Sequence, residues 1–585
     1  MIERMTKYSF VLLSQQKEEF LSRLQELGVV DITRSEKPVD EHSAALLAEA
    51  ERLRKEIADI SAGSDAHLKD LENELKTLLK ERDENAVWGS WNRGLLAETG
   101  LDLHFYMTDA RRFDPSWPEQ FAIQKVAEED GRVWFVIVGG NEGFPLKELP
   151  APALTYAEAS EAIDDKQNET ALYAKALKDR AEELPALRKA LAAKREELSV
   201  YLAGLSGENA AADALVVFEG FVPDEQTAGF EASLEDLPAV WFKDAATVED
   251  KPPVKFRNNK FVGLFEVLTD MYGRPAYDGF DPTPFISIFF TLFFAFCMGD
   301  AGYGLVLLLL GFLLKGALGR QTSALVVTLG IATFVIGFFF HSFFSLDISR
   351  WEFIQNLGLN RIMVPSDSQF VVPGMGAYDW NMVIALICGV VHISLAQFTK
   401  ACVETRNKGF LGSLGTWGWT LLIVGGVAVG AFGLLGVFDK ALTKVLVILV
   451  GVVSALCIFI LRDLDKNPLA NFGNGLWETY NTATGLLSDV LSYLRLYALG
   501  LAGGLLGGAF NNLAVMVRGD GGAGWIWFVA LLVIGHVLNI AMCALSAFVH
   551  PLRLNFLEFF KNSGYEGTGR KYNPLSKDNS NNQNQ

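Results

Sequence analysis

From Pro284 onward the chain is dominated by apolar stretches, at 284–299, 302–318, 323–346, 380–399, 415–437, 441–461, 475–512 and 522–560. In hydrocarbon a backbone must satisfy its own hydrogen bonds, so stretches of this kind fold as helices. Most are near the ~20 residues that cross a bilayer, although the first two are short. The expected architecture of this half is an α-helical polytopic membrane domain of eight transmembrane helices over 284–561. From Pro284 the chain carries 18 Lys and Arg against 15 Asp and Glu, a net of +3, whereas the residues before it carry 33 against 54, a net of −21. Acidity on that scale argues against nucleic acid or anionic lipid as the front half's partner, and for basic protein surfaces in water.

The front half reads as α/β lobes joined by a coiled-coil helix pair. Apolar runs at Phe10–Leu13 and Val29–Ile32 flank a helical pattern at Leu21, Leu24 and Leu27, giving strand, helix, strand. From His42 to Glu84 apolar residues follow a 4-3 spacing through Leu46, Ala50, Leu53, Ile57 and Ile60, then Leu68, Leu71, Leu75 and Leu78, broken at SAGSD. A second seam places Leu177, Leu184, Leu191 and Leu198 at heptad spacing, with Pro185 as a bend. The stretches DLHFYMTD, RVWFVIVGG and ALVVFEGFVP read as strands. The expected divisions are lobes at 1–41, 85–155 and 206–283, arm helices at 42–84 and 156–205, the membrane domain, and a polar tail at 562–585. Amphipathic helices packed in an ordinary globular domain are the plainer alternative to a coiled coil, since only three to four heptads are present.

The opening MIERMTKYSFVLLSQQKEEF has a four-residue apolar run and no small-residue cleavage pattern, so it does not read as a signal peptide and the front half is expected in the cytoplasm. With eight spans the C-terminal end returns to that side. Eleven Lys and Arg between or after the spans then fall on the cytoplasmic side, Arg462 and Lys466 among them, and five on the other, in agreement with the positive-inside rule. All five cysteines lie in or beside apolar segments, which argues against a disulfide framework or a cysteine metal site.

The seventh stretch is the most informative. Its 38 residues contain no proline, and as one helix it is roughly 57 Å long at 1.5 Å per residue, about twice the hydrocarbon thickness. Such a helix must tilt steeply or project, and the eighth stretch shares the problem. Along the seventh, Glu478, Asn481, Thr484, Ser488, Ser492 and Arg495 fall on one face, with Asp489 beside them; beyond the arginine come Gly500, Gly504 and Gly508. On the eighth, His536, Asn539, Cys543, Ser546, His550 and Arg553 share a face. The two run in opposite directions, so the polar faces suggest two offset inlets, one from each side of the membrane, meeting near the arginines. An intramembrane arginine is costly, always charged, and able to keep a passing carboxylate deprotonated. The structural alternative is an ion pair of Arg495 with Asp489 or Glu478; for His550 and Arg553 it is snorkelling to the inner surface.

LLSDVLSYLRLYALGLAGG and LSAFVHPLRLNFLEFF resemble the paired signatures of the a subunit, or subunit I, of V-type and A-type rotary ATPases. CMGDAGYG, FEGFVP and FEVLTDMYGRPAYDGFDPTPF are similar to further motifs of that family, so the resemblance covers the whole chain. It implies a stator subunit, without a catalytic site or cofactor of its own, that passes protons or sodium ions to a rotor ring of proteolipid subunits. It further implies peripheral-stalk partners, an indirect link to nucleotide-binding head subunits, and a location in a bacterial or archaeal cell membrane. Arg495 matches the arginine that faces the rotor, Arg553 the second arginine, and His550 and Glu558 their flanking places. The glycine-rich face is then a surface for rotor helices to slide past, with packing inside the chain as the alternative. Eukaryotic members carry a glutamate where this chain has Cys543, so the outer inlet is left to His536, Asn539 and Asn511 or Asn512.

No G-x-x-x-x-G-K-[ST] stretch occurs, so nucleotide chemistry belongs to a partner. His341 and His392 read as helix-packing hydrogen bonders in preference to ligands. Two other functions stay open at this stage: a secondary ion transporter, which calls for inverted repeats, and a membrane-anchored coiled-coil scaffold, which leaves the two arginine-bearing helices without a purpose.

Overall fold

The computed structural model describes residues 1–577 apart from 36, 64, 90, 92–97, 99, 130, 153, 235–236, 357, 359–360, 362, 365–368, 373–375, 435, 462–467 and 519–521. The expected placement of Arg462 and Lys466, and the end of the polar tail at 578–585, lie outside the described residues. The chain divides into two compact units, 1–34 with 203–585, and 35–202.

The first unit opens with β1 (Met5–Leu13), α1 (Lys17–Leu27) and β2 (Asp31–Ile32). The second unit follows with α2 (Glu41–Ala62), α3 (Ala66–Asn85), β3 (Leu103–Asp109), β4 (Ile123–Glu129), β5 (Arg132–Val138), α4 (Tyr156–Asp179) and most of α5 (Leu184–Leu205). Its strands form one antiparallel sheet in the order β3-β5-β4, closed by Tyr106, Val133, Phe135 and Ile137. Its helices pair antiparallel: Tyr201 bonds Asp40 at 2.6 Å, Lys194 pairs with Glu49 at 3.3 Å, Tyr173 bonds Asp65 at 2.6 Å, and Lys166 pairs with Glu74 at 3.0 Å. Capping boxes at Asp40 and Thr155 start α2 and α4, each supplying side-chain acceptors to backbone N–H groups that the helix cannot satisfy itself. Along the heptad line Leu177 is buried, whereas Leu184, Leu191 and Leu198 are only half-buried. Pro185 stands in the first turn of α5, where its missing N–H costs no helical bond, and a short 3-10 turn, Arg180–Glu183, separates α4 from α5.

Back in the first unit, β6 (Glu208–Ala210), β7 (Leu215–Pro223), α6 (Thr227–Leu234) and β8 (Val240–Ala245) complete an antiparallel sheet ordered β2-β7-β1-β8, with β6 on β7. Alternate residues of β1 and β7 point inward, so Tyr8, Phe10, Phe218 and Val222 meet Phe20 and Phe230 from the covering helices. The segment after Gly564 returns to this lobe: Gly569 and Lys571 bridge Arg274 and Val254, and Arg570 reaches the fully buried Asp31 at 2.8 Å.

Then come α7 (Thr283–Met298), α8 (Ala301–Leu313), α9 (Arg320–Phe339), α10 (Trp380–Gly412, bent at Gly409, φ 79°), α11 (Leu414–Gly433), α12 (Lys440–Phe459), α13 (Pro468–Ser492), α14 (Leu494–Arg518), α15 (Gly522–Arg553) and α16 (Phe560–Ser563). Among the described residues six helical runs are long and apolar enough to cross a membrane, α9, α10, α11, α12, Gly475–Arg518 and Gly524–Ser563; α7 and α8 are shorter apolar helices. α8 and α9 touch backbone to backbone, since a Cβ on Gly304 would stand 2.3 Å from Phe334 N and one on Gly337 would stand 2.2 Å from Ala301 N.

The seventh stretch departs from the single helix expected of it. α13 ends at Ser492 and α14 begins at Leu494, with Tyr493 between them. Its N–H reaches back three residues to Val490 O and its carbonyl receives the Leu496 N–H, so tight turns replace the α pattern. The cause is the side chain: Tyr493 is fully buried, bonds His392 Nδ1 of α10 at 2.9 Å, and fills the space left by Gly389. The last run has its own irregularity. Pro551 lies inside α15, and the helix continues as a π-helical segment, Leu554–Phe559, into α16.

Candidate functional site

The two long runs, Gly475–Arg518 and Gly524–Ser563, pair antiparallel, and polar contacts along them fix their register. At one end Asp489 of α13 accepts from Asn562 Nδ2 of α16 at 2.8 Å and pairs with Lys561 at 3.3 Å, with Ser492 in electrostatic reach of Glu558. At the other end Asn539 donates to Gly503 O at 2.9 Å, and His536 Nε2 lies 3.0 Å from Asn511 Oδ1. Arg495 falls between these two sets, with His550 in electrostatic reach of both Arg495 and Arg553.

Polar atoms at this middle level are left unsatisfied. Arg495 Nη1, His550 Nδ1 and Glu558 Oε2 are each buried without a hydrogen-bond partner. A buried polar atom without a partner costs on the order of 1–3 kcal/mol, more when charged, so such a cluster in an otherwise packed protein asks for a functional reason. The ion pair of Arg495 with Asp489 is not formed, because Asp489 is taken by Lys561 and Asn562.

On the Asp300 side, α7 ends at Gly299 in the left-handed conformation, φ 56°, and Asp300 caps α8. Asp300 is 3% exposed and accepts from the backbone N–H groups of Tyr303, Phe344 and Ser345 and from the Ser342 hydroxyl, between 2.6 and 3.1 Å. It thereby pins the 341–346 loop against α14. Tyr303, one turn along α8, bonds His536 Nδ1 at 2.9 Å and Asn539 Nδ2 at 2.7 Å. A cavity of about 280 Å³ opens here, bounded by Asp300, Tyr303, His341, Asp347 and Asp379 and reaching Tyr497, Gly500 and Gly504 on α14.

The glycines divide into two rows. A Cβ on Gly503 would stand 2.7 Å from Cys543 Sγ, and one on Gly507 would overlap Ser345, so these two let neighbouring elements approach closely. Gly504 and Gly508 have nothing within 4 Å of such a Cβ. Gly503 and Gly507 thus pack inside the chain, Gly504 and Gly508 stand open, and Gly500 lies close to Phe296, where a Cβ would stand 3.0 Å from the carbonyl oxygen.

Of the residues expected at the site, Asp489, Ser492 and Glu558 gather at one end, His536, Asn539 and Asn511 at the other, and Arg495, His550 and Arg553 between. Asn481, Thr484 and Ser488 are exposed, Glu478 is half-buried farther down α13, and Asn512 is exposed. Asp300, Tyr303, Lys561 and Asn562 were not anticipated. GDAGYG carried the first two: an aspartate between two apolar runs is an N-cap signal. His392 acts in helix packing, stacked on Phe559 and bonded to Tyr493. His341 lies in the 341–346 loop, 3.4 Å from Asp347.

The profile of the V-type ATPase 116kDa subunit family matches residues 156–323 and 478–577, which include α7, α8, the break at Tyr493 and both arginines. A protein of Borreliella burgdorferi named V-type ATP synthase subunit I is 26% identical over 99% of this chain and 100% of its own length. The chain resembles this family along its whole length. The A-type ATP synthase subunit I of Methanocaldococcus jannaschii is 31% identical over 63% of this chain and 58% of its own, and that of Pyrococcus horikoshii 29% over 56% and 48%. The match thus spans about half the length of these archaeal relatives. The membrane-length helices and the atoms without partners around Arg495 form the candidate site, the latter within the segment similar to the V-type ATPase 116kDa subunit family.

Proposed function

We propose that this chain is the stator subunit of a V/A-type rotary ATPase. Its eight membrane helices, the two short ones included, offer two half-channels for protons or sodium ions to a separate rotor ring, and its arm anchors the peripheral stalks. The observation that carries this reading is the unpartnered, buried Arg495 Nη1, set between two polar clusters approached from opposite ends of α14 and α15. A fixed cation there lowers the pKa of a rotor carboxylate moving past, so that the carboxylate releases its ion before crossing. It also repels an ion that would leak directly between the clusters. Gly504 and Gly508 leave a groove on the open face of α14 in which a rotor helix can turn.

In this reading Asp489, Ser492, Glu558 and the exposed Asn481 and Ser488 line the cytoplasmic inlet, with Glu478 at its mouth, and the Asp300 cavity is the outer one. The antiparallel helices α2–α5 form the coiled-coil arm, both termini face the cytoplasm, and the two long runs tilt along the rotor. Nucleotide-binding head subunits connect only indirectly, and the membrane is that of a bacterial or archaeal cell. The test is composition: complexes purified through this chain are expected to contain a small proteolipid and nucleotide-binding subunits. Complexes without either would refute the proposal.

A further inference from the structure

The polar chain on the Asp300 side has a hydrogen order that its own geometry fixes. Asn511 Nδ2 donates to the Phe344 carbonyl at 2.9 Å; a carbonyl only accepts, so it is Asn511 Oδ1 that stands 3.0 Å from His536 Nε2. An amide oxygen cannot donate, so Nε2 carries the imidazole hydrogen and Nδ1 carries the lone pair. The Tyr303 hydroxyl, 2.9 Å from Nδ1, is therefore the donor. Its oxygen accepts in turn from Asn539 Nδ2 at 2.7 Å, an amide oriented the same way by Gly503 O. Tyr303 lines the cavity and His536 does not, so the hydroxyl is the link between cavity and imidazole.

Resting on the stator reading above, we propose that the ion handled on this side is a proton, and that His536 stores it, loaded and unloaded through Tyr303. In loading, the Tyr303 O–H bond breaks as the Nδ1–H bond forms, and a water in the cavity gives its extra proton to the Tyr303 oxygen; one proton moves and no electrons are exchanged. Unloading is the reverse, toward the face of the cavity formed by Tyr497, Gly500 and Gly504, where a rotor carboxylate would pass. Imidazole is suited to this because its ordinary pKa lies near neutrality. The groups around His536 are Tyr303 from α8, Phe344 from the loop and Asn511 from α14, with Asn539 of its own helix reaching it through Tyr303, and the charged Asp300 acts on it electrostatically. A sodium ion gains nothing from this device, since hard cations take oxygen ligands and the free valence here is a nitrogen lone pair already capped by a hydroxyl.

The experiment is ATP-driven ion uptake by the assembled complex in sealed vesicles, with and without sodium, for wild type, Tyr303→Phe and Arg495→Ala. Tyr303→Phe keeps the ring that packs on Phe344 and removes the hydroxyl alone. We expect wild-type proton uptake that is indifferent to sodium. Tyr303→Phe should retain its subunits and lose uptake on the order of 10²-fold, with a changed pH profile. Proton uptake by Tyr303→Phe equal to wild type, or uptake of sodium in place of protons by the wild type, overturns the proposal; the second needs no variant. Absence of any coupled uptake in wild type, or full uptake in Arg495→Ala, would instead remove the stator reading beneath it.

Discussion

Two antiparallel helix pairs in this chain solve opposite problems. In the arm, each cross-helix contact from Asp40–Tyr201 to Lys166–Glu74 joins complementary groups close to solvent. In the last two long runs, Arg495 and His550 at the middle and Glu558 toward one end keep buried atoms without partners. Surface pairs are worth about 0–1 kcal/mol each and can be exchanged freely. Buried unsatisfied atoms cost more than that apiece, about 1–3 kcal/mol. On the proposed stator reading, the arm pairs serve length and reach, and the membrane pair serves a partner that comes and goes.

The contrast breaks first if the arm proves dispensable. Deleting Asp65–Lys80 should remove the peripheral stalks from purified complexes while the membrane helices remain inserted, as read by subunit stoichiometry; stalks at full occupancy would contradict the assignment. The glycine rows give the next test. Gly503→Val should loosen α14 from α15, because a Cβ there meets Cys543 Sγ at 2.7 Å, whereas a Cβ on Gly504 has nothing within 4 Å. Gly504→Val should therefore leave the isolated subunit as stable as wild type and still slow ATP-driven uptake in the complex. Equal loss of subunit stability in both variants would mean that the open row is not a sliding surface.

A smaller effect is expected at the helix break. Tyr493→Phe strips His392 Nδ1 of its hydrogen bond in a fully buried setting, at a cost of about 1–3 kcal/mol, measurable as a lowered unfolding midpoint in detergent. The smallest effects belong to the arm. Ser43's hydroxyl, then Tyr201 and the Ser43 N–H, hold the Asp40 carboxyl down to about 2. Its contribution is complete above the ordinary aspartate value of about 3.9 and fades as pH falls toward 2. Asp40→Asn should flatten the pH dependence of arm melting in that window, and leave it unchanged above.

Much of this was legible in the sequence because it rests on local rules. β1, α1, β3, β5 and β7 stand where alternation and helical spacing place them, and Asp40 and Thr155 are N-caps of an ordinary kind. His536 and Asn539 were readable from spacing on one helix, whereas the choice between Asn511 and Asn512 was left open and is made by the His536 contact. The break at Tyr493 was not, since its cause lies in His392 and Gly389, about a hundred residues away. Nor was the capture of Asp489 by Lys561 and Asn562, which depends on how a π-helical turn after Pro551 aims the last residues. Asp300 and Tyr303 were visible as a motif, but their partners come from the 341–346 loop and from α15 and cannot be read from spacing.

The central claim is that Arg495 is a fixed cation awaiting a moving partner. Its most direct test is ATP-driven ion uptake by vesicles containing assembled wild-type, Arg495→Ala and Arg495→Lys complexes. Both variants should assemble; Ala should show no coupled uptake and Lys nearly none, because lysine lacks the planar fork and can lose its proton when desolvated. Near-normal uptake by the Ala form would contradict the claim and leave the unpaired cluster between α14 and α15 without its proposed role.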